Sequence, residues 1–221
     1  MRDQYVTVAG EGAHETEVSR SRFVCLLAPA ATEEEARSFV RRARGRHPAA
    51  THHCYAYVIG ADAGIQKCDD DGEPGGTAGA PMLQMLNRRG VRQAVAVVAR
   101  YFGGTKLGAG GLIRAYGGAV GEALDTLGTV TRQRLLLATV TVGHQQAGRL
   151  ENGLRSTGRN VRHVTYGSEV TIEIGIPASG LGAFRDWLAD TTAGSARLEL
   201  GGDTYSRPAA PRSPGGGTGT R

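Results

Sequence analysis

The chain lacks most of the features that announce a ready-made site. Three cysteines in 221 residues, Cys25, Cys54 and Cys68, are odd in number and have no metal-ligand spacing. Cys25 and Cys54 fall in strand-like runs, where cysteine serves as a small buried hydrophobe, and a reducing cytoplasm fits that usage. No run of about 18 apolar residues occurs, which excludes a transmembrane helix. Met1 to Arg20 is polar and has no apolar signal region, which argues against secretion. Neither a Ser-His-Asp order nor zinc spacing is present to support hydrolysis. His52 and His53 are adjacent on a strand and so point to opposite faces, which removes them as a shared metal site. A large one-sided charge is also missing. The formal charge of +5 divides into +1 for residues 1–130, +1 for 131–205 and +3 for 206–221, so bulk charge identifies no partner.

Glycine, by contrast, is abundant, and it concentrates in two turns. The first is Asp69-Asp70-Asp71-Gly72-Glu73-Pro74-Gly75-Gly76-Thr77-Ala78-Gly79 and the second Gly103-Gly104-Thr105-Lys106-Leu107-Gly108-Ala109-Gly110-Gly111. Each runs into a segment of helical spacing, and the apolar β-branched run Val91 to Arg100 lies between them as a buried strand. Glycine turns at helix starts either let a helix pack tightly on a sheet or present free N–H groups to an anion. The second turn is neither a P-loop, since Thr105-Lys106-Leu107 replaces Gly-Lys-Ser/Thr, nor a dinucleotide fingerprint, since Ile113 takes the third glycine position. The acids Asp70, Asp71 and Glu73 fail the calcium-loop spacing and suit a turn, a helix cap, an ion pair with Arg100 or Arg114, or a cation site. The two turns are expected to meet in one anion site built from Gly76, Thr77, Gly103, Gly104, Thr105, Lys106, Gly110, Gly111 and Arg114.

The remaining pattern is α+β. Tyr5 to Val8 is one short strand in a lead-in over 1–20, and Ser21 to Leu27 is a strand. Thr32 and Glu35 form a capping box for a helix with Ala36, Phe39, Val40 and Ala43 inward. Its last turn, Arg41, Arg42, Arg44 and Arg46, matches the helix dipole or forms an RNA-binding patch. Strands at His52–Ile59 and Ile65–Cys68 and a helix over Thr77–Arg89 follow. The helix after the second turn holds Gly117, Gly118 and Gly121, which implies close packing or a site. Gly128 to Thr131 reads as a domain boundary. Beyond it, residues 131–205 follow the order βαββαβ, a ferredoxin-like pattern, and the proline-, arginine- and glycine-rich segment 206–221 is expected to be disordered.

Ser19-Arg20-Ser21-Arg22-Phe23, His52-His53-Cys54, Asp70-Asp71-Gly72-Glu73-Pro74, Gly76-Thr77-Ala78-Gly79 and Pro81-Met82 resemble the IMPACT/YigZ family. So do Arg100-Tyr101-Phe102-Gly103-Gly104, Leu107-Gly108 and Gly110-Gly111-Leu112-Ile113-Arg114-Ala115-Tyr116. The resemblance implies an N-terminal domain over 1–128 similar to the second domain of a small-subunit ribosomal protein and to domain IV of elongation factor G. It implies a C-terminal domain over 131–205 similar to domain V of that factor. The resemblance implies that eukaryotic members regulate translation initiation by binding an activator of a stress kinase. With the glycine turns and the basic residues Arg41, Arg42, Arg44, Arg46, Lys106 and Arg114, the expectation is a cytoplasmic, monomeric, non-enzymatic protein that binds RNA, the ribosome or a translation-related protein. No cofactor, metal or membrane is expected. An alternative is an enzyme on a phosphorylated or peptide-like small molecule, with Asp70, Asp71 or Glu73 as the acid or cation group; another is a protein-binding adaptor with no ligand site.

Overall fold

In the computed structural model, residues 3–206 are described. Contacts divide the chain into two compact units, Met1–Arg132 and Gln133–Arg221. In chain order the first unit holds β1 (Gln4–Val8), β2 (Gly12–Val18), β3 (Ser21–Pro29), α1 (Glu33–Arg46), β4 (His52–Ile59), β5 (Ile65–Asp69), α2 (Gly79–Arg88), β6 (Ala94–Tyr101) and α3 (Gly108–Leu127). Its sheet has the order β2-β3-β6-β4-β5, and every neighbouring pair is antiparallel.

The sheet is covered on both faces because successive side chains of a strand alternate between them. Val95, Val97 and Ala99 of β6 pack with Phe39, Val40 and Ala43 of α1. Ala94, Ala96 and Val98 pack with Met82 and Leu86 of α2 and Leu112, Tyr116 and Val120 of α3. A strand buried on both sides must read as a continuous apolar run, which is how β6 reads. Arg100 continues the row Ala94, Ala96, Val98 by parity, so a charged side chain enters the α2–α3 layer at the edge of the core.

Local chemistry sets the helix ends. Thr32 Oγ1 accepts from Glu35 N at 3.2 Å, and Glu35 reaches back to Ala31 N at 2.7 Å, the reciprocal arrangement of a capping box. Gly117 and Gly121 of α3 face α2: a Cβ on them would lie 3.7 Å from Pro81 and 3.4 Å from Met85. Both distances are ordinary van der Waals contacts, so these two glycines sit on the α2–α3 seam without a steric demand for glycine, and Gly118 has open space where its Cβ would be.

Residues 1–20 contain two strands instead of one. β2 was not expected because Ala13, Glu15 and Glu17 alternate with His14 and Thr16 and offer no apolar face; it is an edge strand zipped to β3 in register. The boundary anticipated at Gly128–Thr131 is not a loose linker. Gly128 ends α3 with φ +79, and β7 (Thr129–Val142) starts at once and runs across the division between the units.

The second unit continues with α4 (His144–Ser156), β8 (Asn160–Tyr166), β9 (Val170–Pro177), α5 (Leu181–Thr192) and β10 (Arg197–Ser206). The sheet has five strands: β8 pairs with β9, β9 with β7, and both β10 and β1 with β7. The pairs β10–β7, β7–β9 and β8–β9 are antiparallel, and β7 to β10 follow the split βαβ layout of a βαββαβ chain. Val170, Ile172, Ile174 and Ile176 point to one face and bury Leu150, Leu154, Phe184 and Leu188 of the two helices. Of the segment 206–221, Ser206 closes β10 and the rest lies outside the described residues. Among the described residues no helix is long and apolar enough to cross a membrane, and no group of His, Cys, Asp or Glu is placed to hold a metal.

Candidate functional site

The two glycine turns are neighbours, and a buried ion pair joins them. Arg100 Nη1 donates to Glu73 Oε1 at 2.6 Å, with side-chain exposures of 7% and 4%. Tyr116 O–H donates to the same oxygen at 2.7 Å. Ser21 Oγ accepts from Gly103 N at 3.2 Å and from Arg100 Nη2 at 3.4 Å. Arg100, in β6, thus ties the first turn (through Glu73), α3 (through Tyr116) and the second turn (through Ser21). Gly103 is where the second turn crosses the β2–β3 turn: a Cβ there would lie 1.9 Å from Arg20 O, so no other residue fits.

The three acids have separate structural partners. Asp70 Oδ1 accepts from Ala78 N at 3.0 Å and Gly79 N at 2.8 Å, and its Oδ2 from Gly76 N at 2.7 Å. It therefore closes the start of α2 by reaching forward across the turn. Burial raises its pKa, but the backbone N–H donors of Gly76, Gly79 and Ala78 outweigh that and hold it below the ordinary aspartate value. Asp71 pairs with Arg44 at 2.7 Å and accepts from His53 N at 2.7 Å. Glu73 holds Arg100. Cys54 Sγ donates to Asp70 O at 3.0 Å, and burial pushes the Cys54 thiol up to about 12, so it is inert as a nucleophile. Burial likewise pushes the Tyr116 hydroxyl far up, with Cys54 and Glu73 adding to the effect.

The second turn is open. α3 has no side-chain cap and no acid in its first turn, and Gly108, Ala109 and Gly110 are exposed. A cleft of about 340 Å³ lies against it. Glu73 and Pro74 of the first turn, Arg100, Phe102, Lys106 to Ala109 and Leu112 line it. A second cleft of about 330 Å³ shares Lys106 and Leu107 and is lined by Ser19, Gly111 and Arg114. Among the described residues, Lys106 and Arg114 make no ion pair or hydrogen bond. The helix dipole and the leading N–H groups of α3 favour an anion here.

The expected site residues thus separate. Lys106, Gly111 and Arg114 come together along the second turn. Gly110 lies beside Arg114, whose Nη1 would be 3.8 Å from a Cβ at that position. Gly104 takes φ +85 and is exposed, as is Thr105. Gly76 and Thr77 instead belong to the closed start of α2: Gly76 N serves Asp70, and Thr77, itself buried, donates its hydroxyl to Pro74 O at 2.6 Å. The basic helix end is largely neutralised. Arg42 and Arg46 pair with Glu11 at 3.4 and 2.6 Å, and Arg44 with Asp71; Arg41 is exposed. Phe102 was missed. It follows the apolar strand and reads as its continuation, yet it is 50% exposed on the lip of the cleft. An aromatic directly before a glycine turn was the available signal.

A helix–sheet–helix unit with a lined cleft at an uncapped helix start, followed in sequence by a βαββαβ unit, defines a two-module α+β protein with a candidate anion site in its first module. Family models match both modules: the Impact N-terminal domain over residues 19–124 and a domain of unknown function, DUF1949, over residues 140–195. IMPACT family member YvyE of Bacillus subtilis is 42% identical over 93% of this chain and 94% of its own length. IMPACT family member YigZ of Escherichia coli is 40% identical over 82% of this chain and 90% of its own. A solved structure titled as a hypothetical protein is 37% identical, with a TM-score of 0.63, covering 90% of this chain and 97% of that one. The chain belongs to the IMPACT family.

Proposed function

We propose that the protein is a non-enzymatic, cytoplasmic, translation-associated binding protein whose first unit seats RNA backbone phosphates at the start of α3, one at Lys106 and one at Arg114. The carrying observation is that exposed, uncapped helix start, flanked by two cations without an ion-pair partner among the described residues. An exposed, uncapped helix start with its dipole end and two exposed cations suits phosphates that arrive from outside. A likeness of the two units to domains IV and V of elongation factor G, read from the sequence, would fit the same reading. The α+β layout of the two units is compatible with it.

The enzyme reading draws less support because its acids are engaged. Asp70 caps α2, Asp71 pairs with Arg44 and Glu73 with Arg100. The Arg41–Arg46 patch is a weaker RNA contact, since three of its four guanidiniums already face carboxylates.

Ribosome co-sedimentation and RNA binding at several salt concentrations test this. Wild-type affinity should fall steeply with salt, and Lys106→Ala with Arg114→Ala should lower the slope of log K against log salt by roughly 1.4, about 0.7 per single-strand phosphate contact. Melting temperature should stay within a degree or two. A double variant that co-sediments like wild type at every salt concentration would remove the site from the function.

A further inference from the structure

The cleft beside α3 has a feature that phosphate binding alone does not use. Its lip is Phe102, half exposed, with the Arg100 guanidinium 5.6 Å from the ring centroid. Its floor is apolar, from Pro74, Leu107 and Leu112. Arg100 in the wall is itself more than nine-tenths buried, and its Nε has no hydrogen-bond partner in the structure. An exposed aromatic beside apolar Pro74, Leu107 and Leu112 is a surface for a flat, π-rich group. The volume, about 340 Å³, is at the lower end of small-molecule sites, roughly 300–1,000 Å³. That admits one flat group and not the convex side of a duplex, whose bases are stacked out of reach.

We infer that this cleft takes one unpaired nucleotide of a single-stranded RNA, with the base against Phe102 and the backbone passing over Lys106 toward Arg114. The inference rests on the RNA reading above and adds what kind of RNA is selected. Lys106 and Leu107 line both clefts, so a strand whose base enters the first meets Lys106 with its own phosphate and Arg114 with the next one. Glu73 does not oppose this, because Arg100 neutralises it within the wall. Contact between base and aromatic face is tolerant of sequence, since every base has a π-face; the site selects strandedness and not sequence.

The test is fluorescence anisotropy with a labelled single-stranded RNA of about eight nucleotides, the same sequence as a duplex, and competition by free AMP. Phe102→Ala should weaken single-strand binding about tenfold or more, the scale of one base–aromatic contact, with unchanged melting temperature. Phe102→Trp should keep affinity and gain a fluorescence signal that the single strand quenches. The duplex should bind at least tenfold more weakly, and AMP should compete only at far higher concentration than the oligonucleotide. Equal affinity of Phe102→Ala and wild type, or of duplex and single strand, would overturn the nucleotide inference; loss of binding in the Lys106/Arg114 double variant would still uphold the phosphate site. AMP competing as well as the oligonucleotide would overturn it in favour of a free nucleotide. No RNA binding at any salt concentration would overturn both readings together.

Discussion

Two glycine turns lead into two helices of one unit, and neither helix has an acid in its own first turn; the turn that precedes each helix decides its chemistry. At the start of α2 a carboxylate from the turn itself, Asp70, accepts from three backbone N–H groups, and Thr77 to Gly79 are buried. At the start of α3 the first turn has no acid or side-chain cap, and a cation precedes it. The first turn supplies its own anion internally; the second leaves the place for one open. Glycine content is therefore a poor guide to ligand binding. What separates a packed turn from a binding turn is whether the chain places an acceptor of its own within reach of the N–H groups.

The comparison assumes that the two turns are held as one structure, and the Arg100–Glu73 pair is what holds them. Arg100→Leu removes that link and strands Glu73 in a buried place with only the Tyr116 hydroxyl. The expected loss is the largest considered, about 3–5 kcal/mol in urea denaturation, because a buried charge is left uncompensated. A loss under about 1 kcal/mol would show that the turns stand independently, and the shared cleft would lose its frame.

Next in size is the closed helix start. Asp70→Ala leaves three N–H groups without their acceptor and should cost about 2 kcal/mol, the upper end for an N-terminal cap. Its pH signature has a definite sign. The native pKa of Asp70 lies below the unfolded value, so its contribution is complete above about pH 4 and disappears as pH falls through the lower native value. Wild type should lose stability in that window more steeply than Asp70→Ala. Parallel acid profiles for the two would mean that the carboxylate does not cap α2.

Much of this was legible in local sequence, and the part that was not depends on distant partners. β6 announces itself by its apolar run, α1 by Thr32 and Glu35, and β9 by alternating isoleucines. Those signals act over one or two turns of chain. β2 has no apolar periodicity because it lies at the sheet edge, where pairing to β3 and not burial fixes it. The arginines of α1 read as a free basic patch until Glu11 and Asp71, 31 and 27 residues from their partners, arrive beside Arg42 and Arg44. The acids of the first turn form one cluster in sequence but face α2, α1 and β6 separately. Phe102 needed the fold most: the same side chain would be core if the strand went one residue further, and it is exposed only because the chain turns at Gly103.

The smallest expected change in stability discriminates most sharply between packing and binding as the reason for the open start of α3. Ala109 is exposed in the first turn of α3 and lines the cleft. Ala109→Glu gives this helix an acid near its start, which makes it resemble α2. A carboxylate near a helix N-terminus stabilises by roughly 0.3–1 kcal/mol, so the variant should be as stable as wild type or slightly more so. If the second turn exists to bind phosphate, the same carboxylate occupies the dipole end, repels the ligand and neutralises Lys106, and RNA affinity should fall by about tenfold or more. Stability and binding then move in opposite directions in one variant. If the glycines serve packing alone, only the stability changes and ribosome co-sedimentation stays as it was. A folding defect explains neither pattern, since the substitution adds a side chain at an exposed site and removes no contact from the core.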